Sequence, residues 1–157
     1  MSAVRRKKSA TADVPDLRDW IYRPPLRRLD PALPPPRGLR ILDQHSSSAC
    51  TGFALAAAID LQYARAGREE RVSPRMLYEM AKRHDEWPGE EYDGSSLRGA
   101  IKGWVNMGVC REEYWPFRMG RPGDLTVRRA KDARNHTVGA YYRLLPEVSH
   151  YHRPLAT

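Results

Sequence analysis

The sequence predicts an α+β fold that is mainly helical, with one short strand near the C-terminus. Three observations predict it. From Phe53 to Ala64 the residues are apolar almost without interruption until Asp60 and Gln62, which reads as a helix buried on most sides. Two later stretches repeat apolar residues at helical spacing behind a serine: Met76, Leu77, Met80 and Ala81 after Ser73-Pro74, and Ala100, Ile101, Trp104 and Val105 after Ser95-Ser96. Val138 to Leu145 is rich in valine, tyrosine and leucine and reads as the strand.

In chain order, residues 1–13 are basic, polar and poor in large apolar groups, and are expected to be a disordered tail. A solvated tail accounts for them better than a nucleic-acid arm. Residues 14–43 form a proline-rich strap. Trp20, Ile21 and Tyr22 are expected to pin it to the core, and Pro24, Pro25, Pro31 and Pro34 to Pro36 keep it extended. Such a stretch could also serve as a ligand for an SH3-type domain. Leu39 to Leu42 is a short apolar run ending in Asp43-Gln44.

Next comes Asp43-Gln44-His45-Ser46-Ser47-Ser48-Ala49-Cys50, a polar loop of small residues running into a cysteine where an apolar helix opens. A helix N-terminus has unpaired N–H groups and a partial positive charge, and both favour a thiolate. The Gln44 amide, six residues upstream, could donate to an oxyanion formed where the Cys50 sulfur attacks a carbonyl, with the Cys50 backbone N–H as second donor. The bland alternative is that Cys50 is a small buried hydrophobe and Gln44 an ordinary loop amide.

Gly67 is expected to stop the first long helix. Ser73 caps the second and Pro74 takes its first position. His84 ends that helix, where a cation is electrostatically favoured. Asp85 to Asp93 is acidic and turn-rich, Gly94-Ser95-Ser96 makes a turn into the third helix, and Gly108 stops it. Thr126 to Arg134 can form a short helix with Val127, Ala130 and Ala133 facing inward. Pro146 to Thr157 could begin another.

The order of these segments resembles the papain-like cysteine peptidases, closest in kind to the disulfide-poor bacterial branch of the C1 peptidases. Ala49-Cys50 fits the papain-type Cys-Gly-Ser/Ala-Cys-Trp/Tyr signature, while Ser47, Ser48 and Thr51 depart from it. Asp16-Leu17-Arg18-Asp19-Trp20 before the prolines, Ser73-Pro74 with Leu77-Tyr78, Asp93-Gly94-Ser95, Gly108-Val109-Cys110 and Trp115-Pro116-Phe117 keep the family's order. The resemblance covers Asp16 to Leu145. It implies the mainly helical N-terminal half of the fold, with residues 44–145 as the cysteine-bearing subdomain and 146–157 as the start of a truncated second half. It also implies Cys50 as nucleophile, Gln44 as oxyanion donor, and Gly94 and Ser95 as backbone contacts for an extended substrate.

In that family a histidine and an asparagine follow the cysteine by roughly 130–150 residues, which lies beyond residue 157 here. None of His45, His84, His136, His150 or His152 stands in the family's glycine-flanked strand context. A truncated or partial peptidase with little activity alone is therefore expected. The alternative is a catalytically dead module for protein–protein interaction. Another cysteine-dependent acyl transfer, such as transglutamination, would need the same missing base.

At 157 residues the chain reads as one domain. The net charge of +8 is mostly scattered arginine, and no zinc spacing or recognition-helix pattern accompanies it, so no specific nucleic-acid site is expected. Two cysteines and no apolar core behind Arg5-Arg6-Lys7-Lys8 point to a reducing, cytoplasmic setting with no membrane span. No cofactor or metal is called for. Peptide or protein substrate is the expected partner, and a half-fold would leave an apolar cleft face open to a homodimer or a complementing chain.

Overall fold

The computed structural model describes residues 10–11, 16–25, 34, 40–86, 93–147 and 150. Its elements run β1 (Ala10–Thr11), α1 (Cys50–Arg65), α2 (Pro74–His84), β2 (Ser95–Ser96), α3 (Leu97–Met107) and α4 (Val127–Ala133). The class is α+β. Among the described residues the sheet has two strands, β1 and β2, paired in parallel.

Helix α2 is the centre of the bundle and packs on both α1 and α3. Its ends are set locally. Ser73 caps it by accepting from the Met76 N–H at 3.0 Å, and Pro74 supplies a preset φ at the first helical position. Its inner stripe, Met76, Leu77, Met80 and Ala81, meets Leu55, Ala56 and Ile59 of α1 and Ala100 of α3 in one buried cluster. Val109, Cys110 and Trp115 close that cluster from the segment after α3.

Helix α1 ends as its sequence requires. Gly67 takes φ 71°, and the Arg68 N–H returns to the Tyr63 carbonyl at 2.8 Å. Helix α1 is buried along much of its length, with Ala54 and Ala58 facing solvent. Its buried side includes Asp60, which accepts the Val72 N–H at 3.1 Å and so ties α1 to the chain entering α2.

Helix α3 starts at Ser96, whose side chain accepts from the Gly99 N–H at 2.9 Å, and stops at Gly108, φ 72°. Only glycine fits at position 108. A Cβ there would meet the Ala133 carbonyl oxygen at 2.0 Å, so α4 packs directly on the exit from α3. Arg111 holds α4 in place by donating from its backbone N–H, Nε and a guanidinium nitrogen to Asp132. Of the three α4 residues expected to face inward, only Ala133 is buried, and Val127 is 72% exposed.

Two further expectations change. Val138 to Leu145 forms no strand: Arg143 alone bridges, in parallel, to Ile21, with the Tyr22 N–H on the Arg143 carbonyl and the Arg143 N–H on the Trp20 carbonyl. The residues have strand propensity but only one neighbouring residue to pair with. Of the three residues expected to pin the strap, Trp20 and Ile21 lie exposed, while Tyr22 is half-buried and meets Tyr142 and His150 edge to face. A further anchor is Asp19, gripped by two guanidinium nitrogens of Arg98 with both side chains largely buried.

Within the basic tail, Ala10–Thr11 form β1. The rest of residues 1–13, Pro31, Pro35 and Pro36 of the strap, and all but His150 of residues 148–157 lie outside the described residues. Among the described residues no helix is long and apolar enough to cross a membrane.

Candidate functional site

The loop before α1 is closed by its own polar groups. The Asp43 carboxylate accepts the His45 N–H at 2.9 Å, an Asx-type turn that lets His45 sit at φ 55°. The Gln44 carbonyl accepts both the Ser47 hydroxyl at 2.7 Å and the Ser47 N–H at 3.2 Å. The Gln44 amide nitrogen donates back to the Ser47 carbonyl at 2.9 Å. Short polar side chains at 43, 44 and 47 thus replace a regular backbone ladder.

Cys50 is the first residue of α1 and is half-buried, with its thiol free of any disulfide. Ala49 before it and Phe53 one turn later are buried against Tyr78 of α2. Phe53 also meets Phe117 edge to face at 4.7 Å between ring centroids. Behind Phe117 lies Arg75, nearly buried, its guanidinium 4.0 Å from the ring. Arg75 donates to Glu79 at 3.0 Å and to the Arg118 carbonyl at 2.7 Å. Neither Arg75 nor Phe117 stands out as a site residue in the sequence. The Arg75–Glu79 i,i+4 spacing is the available signal, but it reads equally as a surface pair.

Gly52 completes the seat. A Cβ there would meet the Pro74 carbonyl oxygen at 2.7 Å and Tyr78 backbone and Cβ atoms at 2.8 Å, so the first turn of α1 lies flush against α2. The start of α1 has no side-chain cap. Its first N–H groups therefore remain available to a negatively charged atom at Cys50.

Gly94 is buried at φ 117°, a backbone conformation open to glycine. Ser95 is fully buried, and its hydroxyl donates to Asp85 at 3.2 Å. Its side chain faces into the protein, so any contact it offers to a bound chain is through backbone. Gly94 precedes β2 and Ser95 is its first residue, while Gln44 and Cys50 share the loop–helix junction.

The described histidines are placed as follows. His45 stands exposed on the loop itself. His84 lies 3.4 Å from the Asn106 amide, and burial together with Arg83 and Lys102 lowers its pKa. His136 is buried, with Nδ1 at 3.2 Å from the Tyr63 hydroxyl. His150 accepts from the Leu145 N–H at 3.3 Å. The second cysteine is inert by environment: Cys110 has no exposed surface, and burial with Asp132 nearby pushes its thiol up to about 11.

Among solved structures, the crystal structure of xylellain, a cysteine protease from Xylella fastidiosa, superposes with a TM-score of 0.80. This chain shares its fold with a cysteine protease. Sequence identity is 28%, and the match covers 99% of this chain and 66% of that one, so the chain spans about two thirds of xylellain's length. No family model and no curated protein matches the chain.

Proposed function

We propose that this chain is the nucleophile-bearing part of a papain-like cysteine peptidase of the C1 type, with Cys50 as the nucleophile. The observation that carries the reading is the placement of Cys50: a half-buried, disulfide-free cysteine on the first residue of an uncapped helix, six residues after a glutamine on the same closed loop. The likeness to xylellain supports the same class of chemistry.

The Cys50 sulfur attacks the carbonyl carbon of a peptide bond as thiolate. The carbonyl oxygen becomes an oxyanion that accepts from the Cys50 backbone N–H and from the Gln44 amide. The amine leaves with a proton from a general acid, and water then hydrolyses the thioester. Backbone at Gly94 and Ser95 aligns the substrate as an added strand. On this reading the general acid is an imidazolium, which also holds the thiolate before attack.

The test is irreversible labelling of the chain by a peptidyl epoxide, read by peptide mapping. Labelling at Cys50, absent from Cys110 and lost in Cys50→Ala, supports the assignment. A Cys50 that stays unlabelled removes it.

A second reading is a non-catalytic binding module on the same fold. The observation favouring it is the engagement of His84, His136 and His150 with groups of their own. It predicts peptide binding that is indifferent to Cys50→Ala.

A further inference from the structure

Helix α4 has two unlike sides. Inward, Arg129 donates from Nε to the Tyr114 carbonyl at 2.9 Å and lies 4.5 Å from the Trp115 ring. Asp132 accepts from Arg111, and Ala133 is fully buried. Outward stand Val127, Arg128, Lys131 and Arg134, all exposed. At helical spacing these four fall within about 120° of the circumference. None of the four is acidic, and among the described residues none of the three cations has an ion-pair partner. Arg128 lies 4.5 Å from the centroid of the Tyr114 ring, which steadies its guanidinium without neutralising it. The turn leading into α4 adds Arg118 and Arg121, both exposed, with Met119 between them 48% exposed. That turn is held by its backbone. The Arg118 carbonyl accepts from the Arg121 N–H at 3.3 Å and from Arg75 at 2.7 Å, and the Pro122 carbonyl accepts from Trp115 Nε1 at 2.6 Å.

We propose that the outward face of α4 is a peripheral docking surface for an anionic lipid bilayer. The proposal does not depend on Cys50 or on the function proposed above.

The partner is anionic, because three unpaired cations on one stripe attract negative charge and repel positive charge. The helix dipole accounts for cations at 131 and 134, but not for Arg128 or for Val127, which is 72% exposed at the head of the same stripe. At the boundary between headgroups and acyl chains an apolar side chain is stabilised, while cations beside it meet lipid phosphates. That combination fits a bilayer better than the other polyanions. An extended acidic peptide is held by a groove or a strand edge, and the outside of a helix offers neither. Bases are read by amide and hydroxyl side chains or stacked on open aromatic rings. The stripe carries no amide or hydroxyl, and Tyr114 beside it is already engaged by Arg111 and Arg128.

The experiment uses the full chain and vesicles of phosphatidylcholine with about one third phosphatidylglycerol, read by co-sedimentation. Wild type should bind them, leave pure phosphatidylcholine vesicles alone, and dissociate as salt rises from about 0.05 to about 0.5 M. Arg128→Gln, Lys131→Gln and Arg134→Gln combined should weaken binding about 100-fold, since each cation near the surface contributes about fivefold. Arg23→Gln, Arg65→Gln and Arg83→Gln combined remove the same charge elsewhere and should weaken it less than about threefold. Val127→Ser keeps every charge and should weaken it about fivefold, and it carries the test should the α4 triple variant not fold. No binding to anionic vesicles overturns the proposal. So does an equal loss in both triple variants, which would make the net charge of +8 the whole cause. Stripe-dependent binding that is tighter to a DNA duplex of about 20 base pairs than to vesicles, at equal phosphate concentration, gives the face to nucleic acid and overturns it too.

Discussion

Gly52 of α1 lies so close to Pro74 of α2 that a single added methyl group would meet the Pro74 carbonyl oxygen at 2.7 Å. The neighbours on either side are backbone and Cβ atoms of α2, which cannot swing away. This approach fixes where α1 begins, and therefore where Cys50 stands relative to the closed loop at residues 43–47. A nucleophile is useful only if its position is held by rigid elements, and here the rigidity comes from an absent side chain.

Gly52→Ala should therefore act on both stability and site. Overpacking of this kind costs about 1–3 kcal/mol. The expected outcome is a lower denaturant midpoint together with a changed rate of Cys50 alkylation under native conditions. An alanine accepted with no loss of stability would mean that the two helices are not in close contact at residue 52.

The two cysteines should separate cleanly in reactivity. Cys110 has no exposed surface, and its thiol is pushed up to about 11. At pH 8 only about one Cys110 in a thousand would be thiolate even if reagent could reach it. Cys50 is half-exposed at a helix start. Iodoacetamide followed by peptide mapping should label Cys50 at least about 100-fold faster than Cys110 in the folded protein, with the two converging in denaturant. Comparable rates in the folded protein would place Cys110 outside the core.

These positions differ in how far the sequence revealed them, for physical reasons. Ser73-Pro74, Ser96 and Gly108 were legible because a helix end is a local event, decided within four residues. The Gln44–Cys50 loop was legible for the same reason, since its turn is built by side chains two and three residues apart. The strand expected at 138–145 was not, because a strand exists only through a partner, and Arg143 alone finds one at Ile21. β1 was hidden for the converse reason. Ala10–Thr11 is only two residues long and pairs with residues 85 positions away in sequence. Val127 and Ala133 share an apolar spacing on a short helix, yet only Ala133 is drawn in, by the close approach of Gly108.

The start of α2 should prove costly to alter, because one hydroxyl does two jobs there. Ser73 Oγ accepts the Met76 N–H at 3.0 Å and donates to the Trp115 carbonyl at 2.6 Å, all within the core. Ser73→Ala leaves a buried donor and a buried acceptor unmatched, for a loss of about 2 kcal/mol. In a chain of this size the melting temperature should fall by roughly 4–8 °C. Ser73→Thr keeps the hydroxyl and should recover part of the loss. If Ser73→Ala melts with wild type, neither bond contributes to stability.

Asp60 supplies the clearest pH dependence. It is 4% exposed, and burial raises its carboxyl above the ordinary value of 3.8, against the opposing pull of the Val72 N–H and of Arg71 and Arg40. A raised value in the folded state means that the fold holds the Asp60 proton more tightly than the unfolded chain does. The resulting stability is fully present below pH 3.8 and is lost as pH rises through the folded value. At neutral pH the carboxylate is charged and buried. Asp60→Asn retains an oxygen to accept the Val72 N–H and removes that charge. Urea unfolding at about pH 3 and about pH 7 should show the stability of the Asp60→Asn variant relative to wild type improving as pH rises, since only wild type has the ionisation to lose by. A gap that moves the other way would show that Arg71 and Arg40 outweigh burial, and that Asp60 is held as a stabilising anion on the helix that begins at Cys50.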